Sequence, residues 1–397
     1  ESTRGKSELT LTKEGILRDG SSGLDYEYIT EYSYGKLESF NLLVPRLMGG
    51  GTSEGLPKDS HVVEFLTLQG VPKNQAEQFS RNLPVYWGDQ PIVAAPAYVG
   101  AIIIFLAVLS LFLVKGVRRR WLVAGFLLSL FLSWGKNFSL LTDFFINYVP
   151  MYNKFRAVSS IQVLLELLLP VMAVLGLYEF FYNEKYTEEE RKKSLFYSAG
   201  IVGGILLLFL VFKNTIFSFV SPMDGYFMQE LGPDLVMALR EDRAALMSSD
   251  TIRSLILVVL TAAVLFIYLK KQSKVTWITS IVCVLILIDL VGVDRRYVNN
   301  EDFVAASVMN QPYQKDGADM EILKDEGHFR VFDLTRNAFN STHASYFHNS
   351  IGGYHAAKPK RMQDIYDFYL KEDNHMGILN MLNVKYIIVS QENSGAI

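Results

Sequence analysis

Residues 134–156 read WGKNFSLLTDFFINYVPMYNKFR, and 157–178 continue as AVSSIQVLLELLLPVMAVLGLY. The first part mixes aromatics with Lys136, Lys154 and Arg156. The second is nearly uncharged, interrupted by Glu166 and Pro170. A helix rises about 1.5 Å per residue, so 157–177 would span about 30 Å, the thickness of a bilayer's hydrocarbon core. Similar apolar runs separated by basic turns lie nearby, so the stretch reads as a membrane span rather than as a buried helix of a soluble protein. Glu166 then falls about 15 Å along from Arg156, near mid-membrane, where a carboxylate is costly unless paired or wetted.

Outward from this stretch, the composition divides. The 397 residues are 50% hydrophobic with mean hydropathy +0.19, but 1–91 and 297–397 look like ordinary water-exposed sequence while the middle is strongly apolar. A net charge of -3 and a pI near 6.1 argue against a general polyanion binder. The single cysteine, Cys283, lies in an apolar run, which excludes a disulfide framework or a cysteine metal site within one chain. The sequence opens at Glu1 without a basic leader or an early apolar stretch, and is expected to be a piece of a longer or processed protein.

Six spans are expected. They are 92–114, a charge-free run of 23 residues; 121–134, whose helix should start among Arg118, Arg119 and Arg120; the run from 157; 195–212; 254–269; and 275–289. Gly200, Gly203 and Gly204 in the fourth offer close helix packing. The turns after the first, third and fifth carry Lys115 with Arg118–120, Lys185 with Arg191, Lys192 and Lys193, and Lys270, Lys271 and Lys274. All three belong on one side, which the positive-inside rule makes cytoplasmic, so both termini lie outside. Asp294, Arg295 and Arg296 are the main local argument against that orientation.

The flanks read as outer segments. SELTLT (7–12) resembles a strand, with turn signals at Asp19-Gly20 and 21–23. Gly49, Gly50 and Gly51 lack the spacing and the Lys-Ser/Thr of a phosphate loop and read as a turn. The loop 213–253 has helical spacing, suited to an interfacial helix or a cap over a cavity, and 138–148 should lie along the outer surface. In the tail, 329–334 reads as a strand, 362–370 as an amphipathic helix and 376–389 as helix then strand. The expected fold is a polytopic α-helical membrane protein. Six transmembrane helices are flanked by extracytoplasmic segments, the C-terminal one a small α/β or α+β domain, with boundaries 1–91, 92–296 and 297–397.

Chemistry is sparse. His343, His348, His355 and His375 with Asp364, Asp367 and Asp373 are the nearest metal candidates, but the spacing fits no metal motif and polar surface histidines are the expectation. There is no nucleophile elbow for a Ser-His-Asp hydrolase. Arg156 and Lys154, where the third span meets the outer headgroups, could hold a lipid phosphate in the guanidinium fork or simply anchor the helix. Lys136 with Asn137 forms a second polar exit point. Glu166 is an intramembrane polar residue that either lines a cavity or makes a structural hydrogen bond.

The succession YEYITEYSYGKLESFNLLVPRLMGG, QPIVAAPAYVGAI, WGKN, VPMYNKFRAVSSIQVL, DLVGVDRRYVN, FRVFDLTRNAFN, SYFHNSIGGYHAAKPKRMQDIYDF and LNMLNVKYII resembles the YfhO family of bacterial membrane proteins, in the form found in Bacteroidetes. That family is similar to the GT-C glycosyltransferases, which use polyprenyl-phosphate sugars on the outer face of the cytoplasmic membrane. Gram-positive members are implicated in glycosylating lipoteichoic acid. The resemblance implies the C-terminal half of a protein about twice this length, with Arg156 as a donor-phosphate contact. The acidic residues that serve as catalytic base, or that hold a divalent cation, would come from the first outer loop of the N-terminal half. Within this sequence Asp143, Glu230 and Asp234 are substitute bases, each also readable as a solvated loop charge. The rival readings are a non-enzymatic protein that binds or moves a lipid-linked glycan, and a scaffold for an envelope complex.

Overall fold

A computed structural model describes residues 24–271, 274–355, 359–371 and 375–390. The expected strand at 7–12 and the turns at 19–23 lie outside these residues. The chain divides into two compact units, Gly23–Asn299 and a second one built on Asn300–Ile397.

The first unit is helical. After α1 (His61–Leu68) and α2 (Lys73–Ser80) come α3 (Ala101–Leu113), α4 (Val117–Ser133), α5 (Ser139–Tyr148), α6 (Gln162–Tyr182), α7 (Glu188–Val211), α8 (Pro233–Lys271) and α9 (Val275–Tyr297). Four stretches are long and apolar enough to cross a membrane: Val158–Tyr182, Glu188–Val211, Pro233–Lys271 and Val275–Asp302. A fifth arises if the bent pair Val117–Ser133 and Gly135–Tyr148 counts as one span.

The first expected span is shortened. Pro91 and Pro96 withhold amide donors, and Gly100, at φ 110°, takes a conformation that L side chains rarely adopt, so helix begins only at Ala101. The remaining 13 residues reach about 20 Å. The second does start among the arginines, at Val117, and ends at an elbow after Ser133 where the chain turns by 117°. Helix α5 therefore runs across the end of α4. Helix α7 starts at a capping box: Thr187 Oγ1 accepts the Glu190 N–H while the Glu190 side chain accepts the Thr187 N–H. Glu188 and Glu189 add favourable charge at its positive end.

The stretch expected to form a separate interfacial or capping helix before the fifth span is instead continuous with it. Helix α8 runs 39 residues from Pro233 to Lys271, about 58 Å. Pro233 suits the first helical position, and no glycine or second proline interrupts the remainder of the helix. Its N-terminal half lies against 56–85, where Leu235, Leu239 and Leu246 share a core with Leu56, Val62, Leu83 and Val85. The Asp242 carboxylate accepts the N–H groups of His61 (2.7 Å) and Val62 (3.0 Å), filling donors that open α1.

Apolar burial gains little free energy against lipid, so close packing and polar pairs must fix these helices. Helix α3 is the axis, with Ile102, Phe105, Leu106, Leu109 and Leu113 all buried. Helix α6 crosses it at Gly176, where a Cβ would stand 2.9 Å from the Leu106 carbonyl oxygen and 3.1 Å from Ser110 Cα. The glycines of α7 do not play that part: Gly200 and Gly204 have nothing within 4 Å, and Gly203 meets only a Leu255 methyl at 3.7 Å.

Residues 24–99 gather at the helix ends opposite the basic turns. Leu43, Val44, Leu47, Met48, Tyr86 and Trp87 join the helices in one core, so this loop-rich stretch and the bundle are one unit. In the second unit, β1 (Arg330–Asp333) and β2 (Val384–Ile388) pair in parallel. They cover a small core of Phe332, Ile351, Leu370, Leu379 and Leu382. Between the strands, α10 (Gly317–Ile322) having preceded them, come α11 (His343–Phe347) and the helical turns Lys360–Ile365, Tyr366–Leu370 and Met376–Met381.

Candidate functional site

The elbow after α4 gathers the polar groups of the capped end. Gly135 at φ 48° lets the chain turn, and a Cβ there would lie 2.1 Å from Ser33 Oγ. The residues of 24–99 fill the angle. Tyr34 N–H donates to the Ser133 carbonyl (2.9 Å), Trp134 Nε1 to Ser39 Oγ (2.7 Å), and the Lys136 N–H to Ser33 Oγ (2.9 Å). Asn137 Nδ2 donates both to the Tyr34 carbonyl (2.9 Å) and to Asp89 Oδ2 (3.2 Å). Lys136 and Asp89 are exposed.

Beneath this surface sits Glu38, a buried carboxylate that accepts from four donors. These are the Gly35 N–H (3.0 Å), Tyr86 Oη (2.6 Å), the Asp89 N–H (3.3 Å) and Gln90 Nε2 (3.4 Å). Burial pushes its pKa up from the ordinary value, and these hydrogen bonds oppose the shift. Tyr34 next to it is pushed up by burial first and by the Glu38 carboxylate second, with Asn41 and Gln162 opposing and Glu166 adding a smaller push. Glu38 thus fixes the loop that carries Asp89 at the surface.

Three further buried carboxylates of the capped end are paired with guanidinium groups. Asp250 receives two bidentate guanidinium groups. Arg46 Nε and Nη2 donate at 2.9 Å each, and Arg296 Nη1 and Nη2 at 2.7 and 3.0 Å. Asp289 pairs with Arg253 Nη1 (3.0 Å) and accepts from Tyr98 Oη (2.6 Å). Asp224 takes Arg240 and the wholly buried Arg243, both at 2.8 Å. These pairs link 24–99 and 219–224 to α8 and α9.

The residues singled out in the sequence meet different fates. Arg156 is exposed and already engaged: Nη2 donates to Glu31 Oε2 (2.6 Å), Nη1 to Tyr28 Oη (3.3 Å), and the guanidinium lies over the rings of Tyr28 (4.6 Å) and Tyr32 (5.0 Å). Lys154 is half-buried in the turn before it. Met151 at φ 70° and Ala157 at φ 64° break the chain there, so α6 begins at Gln162. That places Glu166 just over one turn inside the helix, about 6 Å from its start, rather than at its centre. It is exposed on the helix flank. Lys136 is exposed at the elbow, next in the chain to Asn137, whose amide reaches Asp89. Asp143 lies near Tyr26, and Glu230 and Asp234 are exposed, away from the elbow network.

Two of the four histidines are not on the surface. His343 and His348 are buried against Asp319, a residue whose place beside them no sequence spacing revealed. Asp89 and Glu38 were also missed. Their signal is faint: Tyr86, Asp89 and Gln90 stand close in sequence before the apolar run, while their partner lies 48 or more residues upstream.

On the flank of α8 and α9 an open groove of about 310 Å³ is lined by Ile252, Ile256, Leu257 and Ile288, with Ser249 and Arg253 as its polar members.

No family model matches the chain, and neither a curated protein nor a solved structure matches it.

Proposed function

We propose that this chain is the C-terminal part of a GT-C-like membrane glycosyltransferase. It would transfer a sugar from a polyprenyl-phosphate donor to a cell-envelope glycan or polymer on the outer face of the bacterial cytoplasmic membrane. The reading takes six crossings, both ends of the chain outside, and an outer C-terminal α/β or α+β domain. The observation that carries it is an exposed carboxylate, Asp89, held from below by Glu38 and bonded at 3.2 Å to Asn137, the chain neighbour of the exposed cation Lys136. An inverting transfer needs a carboxylate to take the acceptor proton and a cation to stabilise the leaving phosphate. Asp89 would serve as the base and Lys136 as the phosphate contact. Glu38 acts through the Asp89 backbone, as a positioning residue.

The groove beside α8 and α9 favours a second reading, in which the protein binds or moves a lipid-linked glycan without chemistry. Its apolar walls suit an isoprenoid chain, and Arg253 lies among them. An envelope scaffold remains the third. The test is sugar transfer by the full-length protein in nanodiscs, from native polyprenyl-phosphate donors. Lys136→Ala and Asp89→Asn are each expected to lower the rate at least tenfold while melting stays unchanged. Wild-type rates in both variants would remove the elbow as the site. One-to-one donor binding with no transfer to any envelope acceptor would favour the second reading.

A further inference from the structure

The second unit contains a cluster of metal-ligand type that is independent of the elbow. Asp316 caps α10 in a reciprocal capping box. Its Oδ1 accepts the Asp319 N–H at 2.9 Å, and Asp319 Oδ2 accepts the Asp316 N–H at 3.0 Å. This turn holds the two carboxylates close together. Helix α11 brings His343 to them, its ring wedged edge-on between Tyr313 and Phe347 at 5.2 and 5.3 Å. His348, just past that helix, approaches Asp319 from the other side, Nε2 at 2.9 Å from Oδ1. Asp319 is fully buried, and the two histidine side chains are 7% and 2% exposed.

The spacing inside the cluster is uneven in an informative way. His348 stands at hydrogen-bond distance from Asp319. His343 does not: its Nε2 lies 3.8 Å from Asp319 Oδ2, too far for a hydrogen bond. Among the described residues no hydrogen bond to its ring nitrogens is seen. A buried imidazole that faces a carboxylate across such a gap is arranged as two ligands of one ion are, since metal–nitrogen and metal–oxygen bonds are each about 2.0–2.2 Å. One ligand atom each from His343, Asp319 and Asp316 lie within 4.8 Å of one another.

We infer that Asp316, Asp319 and His343 form a divalent transition-metal site, with His348 orienting Asp319 by a hydrogen bond to its other oxygen. One imidazole and two carboxylates favour zinc or manganese over magnesium or calcium, which prefer oxygen alone. Three protein ligands leave a position for water or an anionic oxygen. The outer-shell bond from His348 is the kind that fixes a ligand's orientation without supplying one.

The test is a zinc titration of the whole chain in nanodiscs, stripped with chelator and freed of any histidine tag, read by calorimetry and by elemental analysis after dialysis. Wild type should take up one equivalent. His343→Gln should weaken binding at least a hundredfold, Asp316→Asn at least tenfold, and His348→Gln by less than either while retaining one-to-one stoichiometry. Asp316 is exposed, so its variant decides the matter even where Asp319→Asn fails to fold. Zinc uptake below one equivalent in wild type, or unchanged affinity in His343→Gln, overturns the assignment.

Discussion

The Arg156 guanidinium donates to the Glu31 carboxylate at 2.6 Å while lying over the rings of Tyr28 and Tyr32. The arginine that the sequence offers most readily as a phosphate clamp already donates from one arm to a carboxylate and from the other to the Tyr28 hydroxyl. A lipid phosphate would have to displace Glu31 or share the group with it. Both members of the pair are about 40% exposed, so its contribution to stability is modest. Arg156→Ala is expected to cost about 1 kcal/mol or less of stability. Affinity for polyprenyl phosphate in nanodiscs should fall less in this variant than in Lys136→Ala. The reverse order of loss would restore Arg156 as the phosphate contact.

Asp250 is the tie between 24–99, α8 and α9. Its side chain is 1% exposed and shared by Arg46 and Arg296. Asp250→Asn leaves two guanidinium groups facing a neutral amide, and breaking a buried pair in this way costs roughly 3–5 kcal/mol. Melting in detergent should drop sharply. Combining it with Arg296→Met should recover part of the loss, because Arg46 keeps Glu54 at 3.7 Å. No recovery in the double variant would mean that the two arginines do not compete for one carboxylate.

Gly176 and Gly200 separate packing from flexibility. A methyl at Gly176 meets the backbone of α3 at 2.9 Å, whereas one at Gly200 meets nothing within 4 Å. Gly176→Ala should destabilise by about 1–3 kcal/mol. Gly200→Ala should be neutral or stabilise by up to about 1 kcal/mol, since alanine is the better helix former. Equal melting temperatures for the two variants would contradict a crossing of α3 and α6 at Gly176.

The second unit carries a pH-dependent contact. Lys385 first, then Tyr386, which donates at 2.7 Å, hold the Asp325 carboxyl at about 2, below its ordinary 3.8. A depressed carboxylate pKa means that the unfolded chain binds the proton more readily. The contribution is therefore present above about pH 4 and is lost as pH falls through about 2. The difference in melting between wild type and Asp325→Asn should be constant from pH 7 to 5 and close progressively from pH 4 to 2. A difference that persists unchanged at pH 2 would assign the effect to something other than this charge.

Local features of this protein were legible from residues alone. The apolar runs from 157, from 195 and from 275 lie within long apolar helices because twenty or so such residues have few other ways to satisfy their backbone. Arginines preceding Trp121 mark the start of α4, and FRVFDL holds β1. Hydropathy also overshot: it counted 92–100 as helix, where Pro96 and a left-handed glycine say otherwise, and it divided α8 at a change of polarity that the backbone ignores. A helix can leave an apolar environment without ending, so hydropathy reports the surroundings and not the boundary.

Residue order alone thus dictates the apolar helical character of the chain. Which charges meet depends on the packed fold. Arg46 and Asp250 are 204 residues apart, Tyr98 and Asp289 191 apart, and Glu38 and Tyr86 48 apart. Asp319 meets His348 across 29 residues, joined by neither helical nor strand periodicity. Periodicity and propensity act over one or two turns of chain, whereas a carboxylate's partner depends on which helix ends pack together. Burial then gives that choice its weight, because a charge left unpaired there costs far more than one at the surface.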